Sequence, residues 1–486
     1  KSTYVNQYLQ RNLDGTKYMS FTLHFTSNTS VKQTKHDFIE HLDKPQRGSL
    51  APRDGLRCIC FIDDMHMVRQ DENGVQPANE LIRSVFDSQG WYNDTFEFQT
   101  VKNVNFIASV TTGTKKGDDT GRFSRLSRHF NVFRWTDPDE AHFEHIYSAI
   151  VEWYATKMNF KADNRKSVYE LCEGSLVKAT IHVYKMVSQY ILPSPSKPLN
   201  IFNPRDIGSV VQGILLVTAK NIQGPQTLMR LWTHEVLRVF FDRLSSETDM
   251  KWLFDLIKTC SIDYFGFDFN SLFAHLDTDH NDAVDPEELR MLYFGGFAGD
   301  DSDYKEIYET DTVIPSLENH LASYNKDLAS HAPMNLVIFS YAAEHISRIL
   351  RTLRMPGRHG MLVGIVGSGR QSLTKLAAYI SNRKCLQICE RHHYKLEDWK
   401  ADLKKVLWHA GIGQKGTVFL INHTQLVHDE MYGDLDVFLR TGTTPGLFED
   451  DELHAIYQQI IPFARESGFT TEEIDDVETM LEFFFK

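Results

Sequence analysis

The run Met361-Leu-Val-Gly-Ile-Val-Gly-Ser-Gly-Arg-Gln-Ser-Leu-Thr-Lys-Leu-Ala-Ala-Tyr379 decides the fold. An apolar stretch, a glycine-rich turn and a helical pattern follow one another, which predicts a phosphate loop between a buried strand and a helix. Gly364, Gly367 and Gly369 admit backbone conformations closed to other residues and turn several N–H groups toward an anion. The helix N-terminus beyond them adds partial positive charge. Ser368 lies within this cradle. The usual Gly-Lys-Ser/Thr ending is replaced by Gly369-Arg370-Gln371-Ser372. Arg370 still neutralises phosphate, with a planar fork in place of a compact ammonium. Gln371 lacks the hydroxyl that normally binds Mg2+, and Ser372 offers one a residue later. A turn that merely permits tight strand-to-helix packing is the alternative reading of the same glycines.

Working outward, the same plan of apolar strands alternating with amphipathic helices recurs at the start of the chain. It predicts an α/β fold, a parallel sheet flanked by helices. Strands are expected at Met19 to Phe25, Arg57 to Ile62 and Val104 to Val110, with a helix from Pro77 to Gln89. Between the two α/β segments, Asp137 to about Leu256 reads as helical. In Leu228 to Leu244, apolar residues at 228, 231, 232, 236, 239 and 240 fall on one helical face. Leu192-Pro-Ser-Pro-Ser-Lys-Pro198 cannot sustain a helix and is expected as a loop. At 486 residues the chain suggests about three compact units. The boundaries expected are 1–135 and 296–486 for the two α/β parts and 136–295 for a helical small domain.

The composition, 42% hydrophobic and 24% charged, is that of a protein able to bury sizeable cores. A formal charge of −13 argues against a nucleic-acid footprint. No apolar run reaches the roughly 18 residues of a membrane helix and no leader pattern opens the chain, so an intracellular setting without membrane contact is expected. Six cysteines, Cys58, Cys60, Cys172, Cys260, Cys385 and Cys389, are too sparse for a disulfide scaffold and read as core thiols. The opening on Lys1 and the close on Phe-Phe-Phe-Lys486 read as a piece of something longer.

Lys1-Ser2-Thr3 makes sense as the end of a second phosphate loop, with Lys1 reaching the β- and γ-phosphates and Ser2 ligating Mg2+. The pair gains weight from Cys58-Ile-Cys-Phe-Ile-Asp-Asp-Met65, an apolar strand ending in two carboxylates. Beside a phosphate loop, Asp63 would hold Mg2+ through water and Asp64 would polarise the attacking water. A strand end turning into solvent at an Asp-Asp pair is the alternative.

These residues resemble the motor ring of a dynein heavy chain, of the ciliary branch, specifically its third AAA+ module and the start of the fourth. Phe61-Ile-Asp-Asp-Met-His-Met67 is similar to that family's Phe-Val-Asp-Asp-Leu-Asn-Met stretch. Gly90-Trp-Tyr92, Arg128-His-Phe-Asn131, Phe202-Asn-Pro-Arg-Asp206, Gln212-Gly213 and Leu231-Trp-Thr-His-Glu-Val-Leu-Arg238 follow in the family's order. Glu344-His-Ile-Ser-Arg348 and Gly367-Ser-Gly-Arg-Gln-Ser-Leu373 continue it in the next module. The resemblance implies P-loop AAA+ NTPase modules with a helical small domain between them. It also implies ATP or ADP with Mg2+ at two sites, and coupling of nucleotide state to minus-end-directed movement in the ciliary axoneme. Implied partners are the other ring modules, intermediate and light chains, and microtubules reached by a stalk outside this chain. It makes Arg205 the sensor-II arginine, and Arg128 or else Arg125 an arginine finger for the preceding module. A surface salt bridge is the other reading of each arginine.

One departure stands at Val418-Phe-Leu-Ile-Asn-His-Thr-Gln425, where His423 occupies the Asp position of the fourth module. Imidazole is a poor substitute for a carboxylate that retains Mg2+. The fourth site is therefore expected to bind nucleotide without turning it over, and the third to hydrolyse, with Asp64 shorter than the commoner Glu. A nucleotide-stabilised structural segment without hydrolysis is the competing reading, and an independent Ca2+-responsive protein a third. The last draws on Asp277-Thr-Asp-His-Asn-Asp-Ala-Val-Asp-Pro-Glu-Glu288, set between helical flanks at Phe269 to Leu276 and Leu289 to Phe294. In it Asp277, Asp279, Asn281, Asp285 and Glu288 stand at the ligand positions of an EF-hand. Asp282 replaces the sharp-turn Gly and Pro286 stiffens the exit, so an acidic connector is the favoured reading. Histidines 129, 234, 409 and 423 show no metal-ligand spacing.

Overall fold

The structure is a computed structural model that describes residues 2–111, 124–136, 138–157, 174–277, 280–298, 303–327, 333–388, 394–412, 416–442, 444, 447–470, 474 and 477–485. Compactness divides the chain into one unit of residues 1–136, 387–415 and 421–486, and another of 137–386 and 416–420.

In the first unit, helix α1 (Ser2–Arg11) leads into strand β1 (Tyr18–His24), helix α2 (Val31–His41), strand β2 (Arg57–Asp63), helix α3 (Pro77–Ser88) and strand β3 (Val104–Ala108). The three strands form a parallel sheet in the order β1-β2-β3. From Cys58 onward every residue of β2 but Ile59 is buried, as expected of a central strand covered on both faces. Phe38 of α2 and Leu81, Ile82 and Val85 of α3 join Leu23, Cys60 and Ile62 in one apolar core. Each such side chain contributes about 1.5–3 kcal/mol of transfer free energy. Pro77 pre-sets the first turn of α3, and Gln89 ends it in the left-handed conformation. A smaller sheet, in the order Asp43–Gln46, Ser49–Ala51, Phe98–Val101 and Gly90–Tyr92, is built from the stretches between α2 and β2 and between α3 and β3. The predicted strands and helix are therefore found, each ending within two residues of its expected limit. Cys58, Cys60 and Cys260 are buried free thiols and Cys385 is half-buried; Cys172 and Cys389 lie outside the described residues.

The second unit is mainly helical, with α4 (Glu140–Lys157), α5 (Leu176–Tyr190), α6 (Pro204–Ile214), α7 (Pro225–Val236), α8 (Ser340–Arg354) and α9 (Arg370–Ile380). Strands β4 (Lys384–Gln387) and β5 (Thr417–Leu420) pair with each other. Asn203 and Asp206 form a capping box that starts α6, with Pro204 at its first position. The periodicity predicts one helix from Leu228 to Leu244 with a single inward face. The chain is helical over most of that span, with α7 passing directly into a π-turn at Leu237–Phe241, but the inward face is not single: every residue from Thr227 to Val236 is buried. The reason is that the polar side of α7 meets protein partners in place of water. Trp232 Nε1 donates to Thr180 Oγ1 at 2.9 Å, and Arg230 Nε donates to Glu306 Oε1 at 2.7 Å. Glu235, 0% exposed, accepts from Arg351 Nε at 2.9 Å and from Tyr304 Oη at 2.9 Å, with His234 Nδ1 3.0 Å away. Gly213 of α6 makes room for that carboxylate, because a Cβ there would overlap Glu235 Oε2.

Candidate functional site

Parallel pairing of β1 with β2 sets His24 opposite Asp63, and β3 runs out alongside them into Ser109. The start of α1 brings Ser2 to the same point, and Thr22 Oγ1 donates to Asn6 Oδ1 at 3.3 Å to tie α1 to β1. Asp63 Oδ1 accepts from Ser2 Oγ at 2.5 Å and from Ser109 Oγ at 2.5 Å. Its other oxygen lies 3.8 Å from His24 Nδ1. Burial works to raise the Asp63 pKa, and the Ser109 and Ser2 hydroxyls outweigh it, holding the carboxyl below its usual range. Burial lowers the pKa of His24, which favours the neutral ring.

Asp64 follows in the left-handed region at φ 53° and ψ 44°. Its N–H donates to Ser109 Oγ at 3.1 Å, and its Oδ2 accepts from Arg440 Nη1 at 2.6 Å. Ser2, Asp63 and Asp64 are thus brought together as the sequence leads one to expect. Thr3 is exposed on the first turn of α1; Lys1 lies outside the described residues. The hydroxyl and ionised carboxylate at this point are the hard oxygen donors that suit Mg2+, and the residues fit that ion. Sequence reasoning did not pick out Ser109, His24 or Arg440. A polar residue just past the strand beside an Asp-bearing strand is a usable signal for Ser109. Arg440, 376 residues from Asp64, leaves no local trace.

At the glycine loop, Gly367 and Gly369 have φ of +86° and +76°, as the predicted turn requires, and α9 begins at Arg370. Arg370 Nη2 donates to Ile365 O at 3.1 Å, and Ser368 N donates to the same carbonyl at 3.3 Å. A Cβ at Gly364 would lie 3.1 Å from Ser368 Oγ, a tight contact that the hydroxyl would have to relieve. Gln371 is exposed and Ser372 half-exposed at the start of α9. The buried strand expected before the loop is not found: residues 361–366 form no strand, and Val366 is 96% exposed. Among the described residues no segment pairs with them, and a strand exists only through its ladder. β5 runs along the predicted apolar stretch, and His423 is exposed at the head of the short turn His423–Gln425.

The remaining sequence candidates stand apart from these groups. Arg205 is exposed on the first turn of α6, with its N–H donating to Asn203 Oδ1. Arg128 is paired with Asp87 at 3.0 Å, and Arg125 is exposed. In the acidic segment, Asp277 Oδ2 accepts from Asp282 N at 3.0 Å. Asn281 Oδ1 accepts from Ala283 N at 2.7 Å, and Glu288 Oε2 accepts from Asp285 N at 3.0 Å. Asp279 lies outside the described residues. In place of the longer helical flanks expected, the structure has the single turn Phe269–Leu272 and the 3-10 turns Ala274–Leu276 and Glu288–Met291. Leu292 is already extended, and Tyr293–Gly295 pairs as a strand with Lys305–Ile307.

A parallel sheet that ends in an Asp pair, the first acid held by two hydroxyls, with a glycine loop opening a helix elsewhere, defines a P-loop nucleotide-binding class. Three family models narrow it: "P-loop containing dynein motor region" over residues 1–138, "AAA+ lid domain" over 176–273, and "P-loop containing dynein motor region D4" over 334–486. The chain belongs to the dynein heavy-chain family, as part of its AAA+ motor region. It is 34% identical to dynein axonemal heavy chain 3 of Mus musculus over 478 residues, which is 97% of this chain and 11% of that protein. It is 36% identical to dynein axonemal heavy chain 12 of Homo sapiens over 414 residues, 84% of this chain and 13% of that protein. Against dynein axonemal heavy chain 1 of Mus musculus it is 32% identical over 460 residues, 93% of this chain and 10% of that protein. The chain thus spans about a tenth of the length of the curated relatives it matches.

Proposed function

We propose that this chain is a segment of a ciliary dynein motor that binds nucleotide at two sites and hydrolyses ATP at one of them. The observation that carries the hydrolytic site is the junction of Ser2, Asp63 and Ser109, two hydroxyls on one carboxylate oxygen at 2.5 Å each. Ser2 and Asp63 would hold Mg2+, which when bound neutralises phosphate charge during phosphoryl transfer. Asp64 orients the attacking water and takes its proton, while Ser109 positions both acids through Asp63 Oδ1 and the Asp64 N–H. Arg205 serves this site as a sensor, and Arg128 serves the preceding one as a finger.

The 364–372 loop binds ATP or ADP through its backbone N–H groups and Arg370. His423 in place of an acid favours binding without turnover there. The domain layout follows: 1–135 and 296–486 as large α/β parts, and 136–295 as the helical part between them. Asp277 and Glu288 accept from backbone N–H groups of their own segment, which favours an acidic connector over a Ca2+ site. By likeness to axonemal relatives, the setting is the axoneme and the partners are the other ring modules, associated chains and microtubules.

The test is Asp63→Asn and Asp64→Asn in the full-length motor. Each should lower ATP turnover by about 100-fold or more at the altered site and slow microtubule gliding, while ADP retained at the 364–372 loop stays unchanged. Unaltered turnover and velocity would instead favour a segment that nucleotide only stabilises.

A further inference from the structure

Thr26 to Asn28 follow β1 and Asp64 follows β2, so both stretches lie at the carboxyl ends of parallel strands, where open α/β sheets hold their ligands. The Asp429–Thr441 helix is docked on both. At its start, the Asn28 side-chain amide donates to Asp429 O, and Arg69 Nη1 lies 3.8 Å from Asp429 Oδ2. One turn on, Gly433 faces Thr26 and Asn28, with room for no more than ordinary contact. Near its end, Arg440 uses three separate nitrogens. Nε and Nη2 go to Asp436 at 3.2 and 3.0 Å, and Nη1 goes to Asp64 Oδ2 at 2.6 Å. Asp436 thereby aims the guanidinium, and the left-handed backbone of Asp64 aims the acid to meet it.

We propose that this helix is a strap across the hydrolytic site, and that Arg440 holds Asp64 in a resting ion pair that opens when MgATP binds. The proposal rests on the reading of Asp64 as the acid that activates water. Arg440 holds Oδ2, one of the two oxygens on which Asp64 could take a water proton, and its charge competes there with the approaching water, so the closed strap restrains turnover. Both side chains are 28% exposed. Such a pair is weakened by solvent and is weak enough to open on ligand binding. Because the strap belongs to the stretch that follows the second nucleotide loop in sequence, its release gives that part of the chain a direct hold on the first site.

The test uses hydrogen exchange and ATP turnover on the full-length motor with Arg440→Gln, Arg440→Lys and Asp64→Asn. MgATP should speed amide exchange of residues 436–441 in the unaltered protein. Arg440→Gln should show that fast exchange without nucleotide and raise basal turnover about fivefold, with Arg440→Lys in between. Exchange in 436–441 that ignores MgATP overturns the strap, and so does a fall in turnover on Arg440→Gln. If Asp64→Asn leaves turnover intact, the hydrolytic reading fails separately. The exchange response still decides whether the strap opens.

Discussion

Among the carboxylate–arginine pairs that join distant parts of this chain, two sit in opposite surroundings. In one unit, Glu235 is fully enclosed and takes Arg351, Tyr304 and His234 on its two oxygens. In the other, Asp64 meets Arg440 with both side chains 28% exposed. The chemistry is the same and the burial differs, so the consequences differ. A buried charge cannot lose its partner without a large penalty, because no water replaces it. A half-exposed charge can, because water does. The first pair is fitted to fasten α7 to α8, and the second to open and close.

The largest expected effect tests the fastening. Arg351→Met should destabilise the helical unit by about 3–5 kcal/mol, because Glu235 keeps its charge and loses its main counter-ion. The double variant Glu235→Gln, Arg351→Met should recover most of that loss. Chemical denaturation followed by near-UV circular dichroism reads both. A loss under about 1 kcal/mol would mean that this pair is no more structural than the exposed one.

Acid gives the next largest effect. Burial lowers the His234 pKa to about 4, against the raising influence of Glu235. The unfolded chain, with an ordinary His value near 6.5, therefore binds more protons between pH 6.5 and about 4. Stability is fully present above pH 6.5 and is lost as pH falls toward 4, by roughly 2–3 kcal/mol from this group. His234→Gln should flatten that limb of a melting-temperature profile. Burial opposes the ionised Glu235, but Arg351 and His234 prevail and hold its pKa low, so its own loss comes at lower pH and with the same sign.

The parts of this comparison were unequally visible in the sequence. The strand that delivers Asp63 and Asp64 is legible because an apolar run ending in two acids is a local pattern. Ser109 joins it only through the pairing of β3 with β2, and Arg440 only through tertiary docking across 376 residues. The run at 361–366 has the composition of a strand but no neighbour to pair with among the described residues, and composition cannot supply one. Around α7 the apolar positions are legible, whereas the burial of Arg230 and Glu235 depends on Glu306 and Arg351, far along the chain.

The smallest effect is the sharpest test of the contrast. Arg440→Met removes the same kind of guanidinium as Arg351→Met, yet it should cost less than about 1 kcal/mol, since Asp64 regains water as its partner. Salt separates the two further. At 1 M the Debye length shrinks to about 3 Å, so the Arg440 contribution should fade while the buried pair is barely screened. Measuring both variants in low and high salt thus compares two pairs of one chemistry in a single chain. If Arg440→Met cost as much as Arg351→Met and resisted salt, the Asp429–Thr441 helix would be a fixed part of its unit and not a strap. A small, salt-sensitive cost leaves the helix free to release Asp64 at little expense, which a contact that cycles with nucleotide requires.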